Sequence, residues 1–457
     1  MQCRINPNLS VGASFCIIML FTGLMATPAW AIPSYSAQTD QPCSSCHVGG
    51  FGPQLTPFGR QFKLHGYTMN AGGAFPVPVS AEVVSSFTHT AASQESPPAD
   101  HYSTNDNFTL DHASLFLGGG IGEHFGGISQ WTYDGVGRTF AWDMLDVRAT
   151  DELTVWGNDV VAGVSLSNMP GITDVWNTLP VLGFPYTTSG LAPAPMAGTM
   201  IDGQFNMLVL GATAYAYWNS SIYTEAGLYW TPSHGFLRAV GMSADMGPGT
   251  ISGVAPYFRV AYSKDYGEQN FEVGAFGFFP KIDPSGGMGS LVPAGVGSDS
   301  YSDFGLDGSY QFMGDGNSIY GVNVRYTHEW QTLNASQMLG NSANLSNSLD
   351  DFRIDASYYW HNVIGGTVQL FNTSGSKDTL LYADSRTFSP DSSGITFQID
   401  GTPWGVGNSP FDNRLNLRVG IQYTMYTKFG GASSNYDGTG RNASDNNTLR
   451  FFTWLAL

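Results

Sequence analysis

The chain has 457 residues and a mass of 49.1 kDa, which allows two or three domains, or one large β domain with a small attachment. Charged residues make up 12% of the chain, aromatic residues reach 14%, and there are 57 glycines. This composition excludes a coiled coil or a disordered chain, and it fits an ordinary cytosolic α/β enzyme poorly. The formal net charge of −18 argues against nucleic-acid binding, because neutralising phosphates requires clustered Lys and Arg.

Residues 1–31 are predicted to be a secretory signal peptide. Arg4 is their one charged residue, an apolar stretch runs from Cys16 to Ala26, and the small-x-small sequence Ala29-Trp30-Ala31 is typical of a cleavage site. A membrane anchor is the alternative, but the apolar stretch is too short to span a bilayer. No later segment has about 18 consecutive apolar residues, so we expect no transmembrane helix.

The two cysteines that remain after position 31 lie in Cys43-Ser44-Ser45-Cys46-His47. This is C-x-x-C-H, the attachment pattern for c-type haem. Two thiols at this spacing add to the two vinyl groups of one porphyrin, and the adjacent His47 becomes an axial ligand of the iron. A thioredoxin-like redox pair would need a βαβ context, and a zinc site would need a second ligand pair. The motif therefore predicts one covalent haem c bound by Cys43, Cys46 and His47.

The second axial ligand is sought just downstream of the motif. Thr56 followed by Pro57 predicts a helix start, and Gly66 predicts its end. This helix would bring His65 and Met69 near the haem, and either side chain is a candidate ligand; we favour Met69, which would raise the reduction potential relative to bis-His ligation.

Two basic residues of the predicted helix, Arg60 and Lys63, are candidate partners of a haem propionate.

From about residue 79 the sequence alternates between apolar and polar residues with period 2, as strands do. In the segment around 351–360, for example, one face is apolar and the other carries Asp351, Arg353 and Asp355. About sixteen such segments follow one another, which predicts an all-β protein: an antiparallel outer-membrane β-barrel of about 16 transmembrane strands. Residues 32–78 would form a small α-helical c-type haem segment, and residues 79–457 a porin-like barrel.

Connection lengths support this strand count. Short turns are expected near 218–221, 314–317 and 361–362, and long loops at the opposite end of the barrel. Short periplasmic turns and long outer loops are typical of outer-membrane barrels, so an even strand count puts both termini on the periplasmic side. Two features depart from the pattern: the short hairpin at Gly135-Val136-Gly137, and Leu457 where bacterial barrels usually end on an aromatic residue.

The sequence resembles the fused monohaem cytochrome–porins, outer-membrane ferrous-iron oxidases of iron-oxidising bacteria. The likeness extends over essentially the whole chain after residue 31. The segments that carry it are 38–47, 53–60, 62–67, 176–180, 183–186, 422–424, 426–429 and 443–449.

The resemblance implies a haem plug inside a sixteen-stranded barrel that passes electrons from extracellular Fe(II) to periplasmic carriers. The carriers expected are a c-type cytochrome or a cupredoxin, and the activity would be that of a ferrous-iron:cytochrome oxidoreductase. Outer-membrane lipid would surround the barrel. The alternatives are a porin whose haem serves gating or sensing, and an electron outlet that reduces external acceptors.

Fe(II) prefers carboxylate, imidazole and water ligands, so acidic residues were considered as docking sites. The candidates are Asp174 in a long loop and the lumen-facing Asp303, Asp307 and Asp355. Each has a simpler explanation: loop acids are usually solvated, and lumen acids usually pair with arginine. No Ser-His-Asp array, P-loop or dinucleotide fingerprint stands in a suitable context.

Overall fold

The computed structural model of this protein describes residues 33–72, 78–243, 246–284, 295–314, 316–407, 410 and 415–457. The predicted signal peptide, residues 1–31, lies outside the described residues. Among those described, no helix is both long enough and apolar enough to cross a membrane.

Eighteen strands and five short α-helices organise the described part of the chain. The strands are β1 (Val79–Thr90), β2 (Asn107–Ile121), β3 (Phe125–Asp134), β4 (Thr139–Val155), β5 (Asn158–Ser167), β6 (Leu210–Trp218), β7 (Ile222–Trp230), β8 (Gly249–Ile251), β9 (Ala255–Tyr266), β10 (Gln269–Phe278), β11 (Lys281–Pro284), β12 (Asp299–Phe312), β13 (Ser318–Thr332), β14 (Ser346–Trp360), β15 (Ile364–Gly375), β16 (Ser392–Gly401), β17 (Asn416–Lys428) and β18 (Thr448–Ala456). The helices are α1 (Pro33–Thr39), α2 (Cys43–Cys46), α3 (Pro57–Leu64), α4 (His234–Ala239) and α5 (Asn334–Leu339).

The long strands form a closed antiparallel barrel. Each pairs with its neighbours in chain order, and β1 pairs with β18, for example Phe87 with Phe451, so the sheet has no open edge. The strands β8 and β11 are short; they pair with each other, and β11 also extends the ladder of β12. Sixteen of the described strands therefore span the barrel, and the predicted fold class is confirmed.

The two faces of the wall differ in the way the sequence alternation predicts. On β13, Val322, Val324 and Tyr326 are exposed on the outer face, whereas Arg325 and Glu329 are buried on the inner face. The same alternation of exposed and buried residues recurs along β14 and β17. An apolar band around the outside of a closed barrel is the surface that a lipid bilayer covers.

The two ends of the barrel differ in the length of the connections between strands. At one end, which we call the short-turn end, neighbouring strands are joined by two to five residues at 122–124, 156–157, 219–221, 267–268, 313–317 and 361–363, and by the longer connection 402–415. The opposite, long-loop end carries 91–106, 168–209, 231–254, 279–298, 333–345, 376–391 and 429–447. Residues 135–138 are the short exception at that end, as predicted.

Residues 33–72, which we call the plug, lie inside the barrel close to the short-turn end. Three contacts with the wall fix this position. Asn362, in a short turn, donates to the carbonyl of His47 at 3.0 Å. The hydroxyl of Ser34 donates to the carbonyl of Gly118 at 2.9 Å, and the amide of Gly120 donates to the side chain of Gln38 at 2.9 Å.

A long loop closes over the plug from the other side. Residues 168–209, which we call the inner loop, fold into the lumen from the long-loop end. Lys63 of the plug donates through Nζ to the carbonyls of Ile172 at 2.7 Å and Asp174 at 2.6 Å, and to Oδ1 of Asn177 at 2.7 Å. Asn177 in turn donates to the carbonyl of Pro53 at 2.7 Å. The plug and the inner loop are therefore one hydrogen-bonded unit.

Lumen-facing arginines show how completely these two segments fill the middle of the barrel. Four of them have at most 2% of their surface exposed: Arg148, Arg259, Arg418 and Arg450. In an open channel such side chains would be solvated, because the interior of a porin is water-filled. Their burial requires partners for their charge and their N–H groups.

Two of these arginines bind the plug. Arg148 donates to the carbonyl of Lys63 at 3.1 Å, and its charge is paired with Asp146 at 2.7 Å. Arg418 donates to the carbonyl of Gly49 at 2.9 Å. The acceptors are backbone carbonyls. These contacts therefore fix the position of the plug backbone and do not depend on the side chains of the accepting residues.

The other two arginines bind the inner loop. Arg259 pairs with Asp174 of the loop at 3.1 Å and with Asp307 of the wall at 2.8 Å. Arg450 donates to the carbonyl of Thr187 at 3.0 Å. The wall thus holds both segments through charge-assisted hydrogen bonds in a buried setting, where such bonds are strongest.

Candidate cofactor site

The first four residues of the C-x-x-C-H motif form one turn of helix. The fifth, His47, follows that turn and packs back into the plug. Cys43 and Cys46 are the two ends of α2, and the amide of His47 donates to the carbonyl of Cys43 at 2.9 Å. His47 then forms an isolated antiparallel bridge with Leu55. A single helical turn brings the two thiols to one side, and the bridge fixes the direction in which the imidazole leaves the backbone.

The helix predicted after the motif is present as α3. Thr56 caps it by accepting from the amide of Gly59 at 3.2 Å, Pro57 is its first residue, and Gly66 follows its end with a φ of +65°. The amide of Thr56 also donates to the carbonyl of Cys46 at 2.9 Å. The start of α3 is therefore attached directly to the cysteine motif.

A cavity of about 440 Å³ lies between the plug, the wall and the inner loop. Cys43, Cys46 and His47 all line it, and its volume is within the roughly 300–1,000 Å³ of ordinary ligand sites. Apolar groups predominate in the rest of the lining. Examples from each part of the structure are Phe51 and Phe62 of the plug, Val84, Phe116, Ile128 and Trp454 of the wall, and Ile172, Val181 and Leu182 of the inner loop.

The three motif residues have the properties that a covalent haem requires. Both thiols are free, so neither is used in a disulfide. Burial lowers the pKa of His47 to about 4, which keeps the imidazole neutral, as a metal ligand must be. His47 Nδ1 is buried and makes no hydrogen bond of normal geometry with a described residue, although a contact with the backbone of Gly52 raises the pKa of the ring. A buried imidazole on the lining of an apolar cavity fits a group that would occupy this site.

The two distal-ligand candidates of the sequence analysis do not line the cavity. Both ring nitrogens of His65 have other partners: Nδ1 contacts the carbonyl of Gln61 at 2.8 Å, and Nε2 contacts Glu152 Oε1 at 3.1 Å. Met69 lies beyond the end of α3, where its carbonyl accepts from Gln38 at 2.8 Å, and its side chain is not part of the lining. The helix was predicted correctly, but its C-terminal end meets the barrel wall.

The two propionate candidates are also engaged elsewhere. Arg60 is buried against the wall, where Nη1 donates to Asn270, and burial lowers its pKa to about 10. Lys63 does line the cavity, but its three donors are used by the inner loop, and burial lowers its pKa to about 8. Both side chains therefore join the plug to its surroundings.

The wall contributes two residues that the sequence did not identify as part of the site, although a strand histidine such as His112 is expected in the lumen or the interface girdle. His112 of β2 and Met144 of β4 both line the cavity. A signal was present, because the polar alternation of β2 slips by one position: Asp111 and His112 are consecutive, and both are on the inner side. A slip in the period-2 pattern predicts a β-bulge, and bulges are common beside functional sites.

None of the four acids proposed for Fe(II) docking is at the surface. Asp174 and Asp307 both pair with Arg259, Asp303 accepts from the amide of Ile201 at 2.7 Å, and Asp355 accepts from Asn323 at 3.0 Å; all four are buried. The described residues contain no group of three or more His, Cys, Asp or Glu arranged to hold a metal ion. Pairing with Arg259 explains Asp174 and Asp307, whereas Asp303 and Asp355 accept hydrogen bonds from neutral donors.

No family model matches the sequence, and no curated protein matches it. Among solved structures, OmpT of Vibrio cholerae has 8% identity and a TM-score of 0.40, with 83% of this chain and 96% of that chain covered. An anion-selective porin from Comamonas acidovorans has 11% identity and a TM-score of 0.43, with 83% and 98% covered. The outer membrane channel DcaP of Acinetobacter baumannii has 10% identity and a TM-score of 0.42, with 83% and 97% covered.

Proposed function

We propose that this protein is an outer-membrane electron-transfer protein in which one covalent haem c, held in the lumen, carries electrons from extracellular Fe(II) to periplasmic carriers. The observation that carries the proposal is the cavity of about 440 Å³ with Cys43, Cys46 and His47 in its lining. The resemblance to the fused monohaem cytochrome–porins supports Fe(II) as the electron donor.

The roles of the three motif residues follow from their chemistry. Thioether bonds from Cys43 and Cys46 would fix the porphyrin to the plug, and His47 would be one axial ligand. A haem iron supplies one-electron redox chemistry, and its potential depends on the axial ligands and on the burial of the site. The apolar lining excludes water from the cofactor.

The filled lumen supplies the second requirement, which is a barrier to ions. An electron carrier in a membrane must let electrons pass without opening a route for solutes. The four buried lumen arginines and the bonds between plug and inner loop favour this function over a diffusion porin.

The orientation of the barrel would set the two ends of the electron path. Short turns are periplasmic in outer-membrane barrels and long loops are extracellular, so the plug would lie toward the periplasm. The carboxylate excess of the chain, net −18, would attract cations to the outer mouth. A soluble c-type cytochrome or a cupredoxin would then accept the electron at the short-turn end. An electron outlet, the alternative, would use the same parts in the reverse direction.

Anaerobic mixing tests the proposal. Purified protein with oxidised haem is mixed with Fe(II) while the haem absorption spectrum is recorded, and Mn(II) serves as a divalent control that does not donate electrons under these conditions. The proposal predicts the spectrum of reduced haem with Fe(II) and no change with Mn(II). An unchanged spectrum with Fe(II) would contradict the role as an iron oxidase.

A further inference from the structure

The described strands of the wall contain three register shifts, and the two that involve β1–β2 and β3–β4 lie beside the cavity. Between β1 and β2, Val84 pairs with His112 and Ser85 pairs with Leu110, so Asp111 has no partner residue on β1. Between β3 and β4, one residue, Gln130, faces two residues, Asp143 and Met144. Asp143 and Met144 are consecutive and both line the cavity, which a regular strand would not allow because neighbouring side chains alternate.

The backbone around Met144 is held from the side away from β3. The side chain of Asn168 donates to the carbonyl of Asp143 at 2.7 Å and accepts from the amide of Leu145 at 2.7 Å. The backbone amide of Asn168 donates to the carbonyl of Leu145 at 3.2 Å. Asn168 is fully buried. The residues on both sides of Met144 are therefore fixed, and Met144 projects from a rigid strand, which is the kind of support that a metal ligand needs.

Among the cavity-lining residues, three have side chains that serve as axial ligands in c-type cytochromes: His47, His112 and Met144. His47 belongs to the plug. The Nε2 atom of His112 contacts Glu82 Oε1 at 3.1 Å, and the other oxygen of Glu82 accepts from Trp454 at 2.8 Å. One ring nitrogen of His112 is thus paired with the wall, whereas the thioether sulfur of Met144 is only a weak hydrogen-bond acceptor, so little competes with its binding to a metal.

We propose that Met144, on strand β4 of the barrel, would hold the haem iron together with His47, as its second protein ligand. This inference rests on the proposed function, since it requires a haem bound at Cys43 and Cys46. The ligand pair would then join two parts of the fold, the plug and the wall, so that binding of the cofactor locks the plug inside the barrel. His-Met ligation also raises the reduction potential relative to bis-His ligation.

The experiment compares three variants of the full-length, haem-loaded protein: Met144→Leu, Met144→His and Met69→Leu. Met69→Leu is the matched control, because it makes the same chemical change outside the cavity. Two properties are measured: the near-red absorption band that a methionine–iron(III) bond produces, and the reduction potential. We expect loss of the band and a lower potential for Met144→Leu. Met144→His should also lack the band and have a potential typical of bis-His haem, and Met69→Leu should match the wild type.

Other results would overturn the inference. If Met144→Leu keeps the band and Met69→Leu loses it, the ligand is Met69. If the wild type has no such band and His112→Gln alone changes its spectrum and potential, the ligand is His112. Haem staining of a denaturing gel separates this inference from the proposed function, because a wild-type protein without covalent haem would overturn both, whereas bound haem with an unaltered Met144→Leu spectrum overturns only the ligand assignment.

Discussion

Replacing Gly59 with alanine should loosen the plug, because α3 packs on the cysteine motif without room for a side chain. A Cβ atom at position 59 would lie 2.2 Å from the carbonyl oxygen of Cys46, whereas real Cβ atoms hardly ever come within 3.0 Å of a heavy atom. One segment must therefore move by about 0.8 Å. Overpacking of this kind costs ~1–3 kcal/mol, and the gain in helix propensity from Gly to Ala returns up to about 1 kcal/mol.

The difference between these two ranges is about 0–3 kcal/mol, and we expect a net loss near its centre, about 1–2 kcal/mol, which changes an equilibrium by a factor of roughly 5–30. Urea titration followed at the absorption band of the proposed haem measures it, and the gel mobility of the unheated barrel checks that the wall is intact. Gly235→Ala is the matched control, since its Cβ would have no heavy atom closer than 4.0 Å and it also lies in a helix, α4. Equal urea midpoints for Gly59→Ala and the wild type would refute the reasoning.

Three further predictions follow from the plug and its attachments. Cys43→Ala and Cys46→Ala should each greatly reduce covalent haem while the barrel still assembles, as judged by haem staining and by gel mobility; unchanged haem in both would exclude attachment at this motif. Arg148→Met leaves the buried Asp146 without its cation and should destabilise the protein by about 3–5 kcal/mol in urea unfolding. Adding Asp146→Asn should recover part of that loss, and no recovery would mean that the ion pair is not its source. In a planar lipid bilayer the purified protein should give no steady ion conductance, since its lumen is filled, and sustained single-channel steps would contradict a closed lumen.

The barrel was predictable from sequence because lipid and lumen impose opposite chemistry on alternate residues. The apolar outer face expected for 351–360 is present on β14, where Phe352 and Trp360 are exposed and Asp351 is buried. Connection lengths also gave the strand count, because tight turns leave few alternatives. The short strands β8 and β11 were missed, since three or four residues are too few for a period to be recognised.

The sequence predicted only the part of the cofactor site that is formed by residues close together in the chain. The positions of Cys43, Cys46 and His47 on one turn, and the helix capped by Thr56, follow from nearby residues. The approach of Met144 to the cavity depends on the register of β3 and β4 and on the inner loop, and these are contacts between distant parts of the chain. For the same reason Asp174 was expected in an exposed loop, although that loop folds inward.

Electron transfer across a sealed vesicle membrane is the sharpest test of a haem path through this barrel. The haem-loaded protein is reconstituted into lipid vesicles that contain an oxidised soluble c-type cytochrome, Fe(II) is added outside under anaerobic conditions, and the absorption of the enclosed cytochrome is followed. The Cys43→Ala barrel, reconstituted in the same way, is the control for leakage. The account predicts reduction of the enclosed cytochrome with the wild-type protein and none with the variant. No reduction with the wild type, or equally fast reduction with Cys43→Ala, would contradict transfer through a haem at this site.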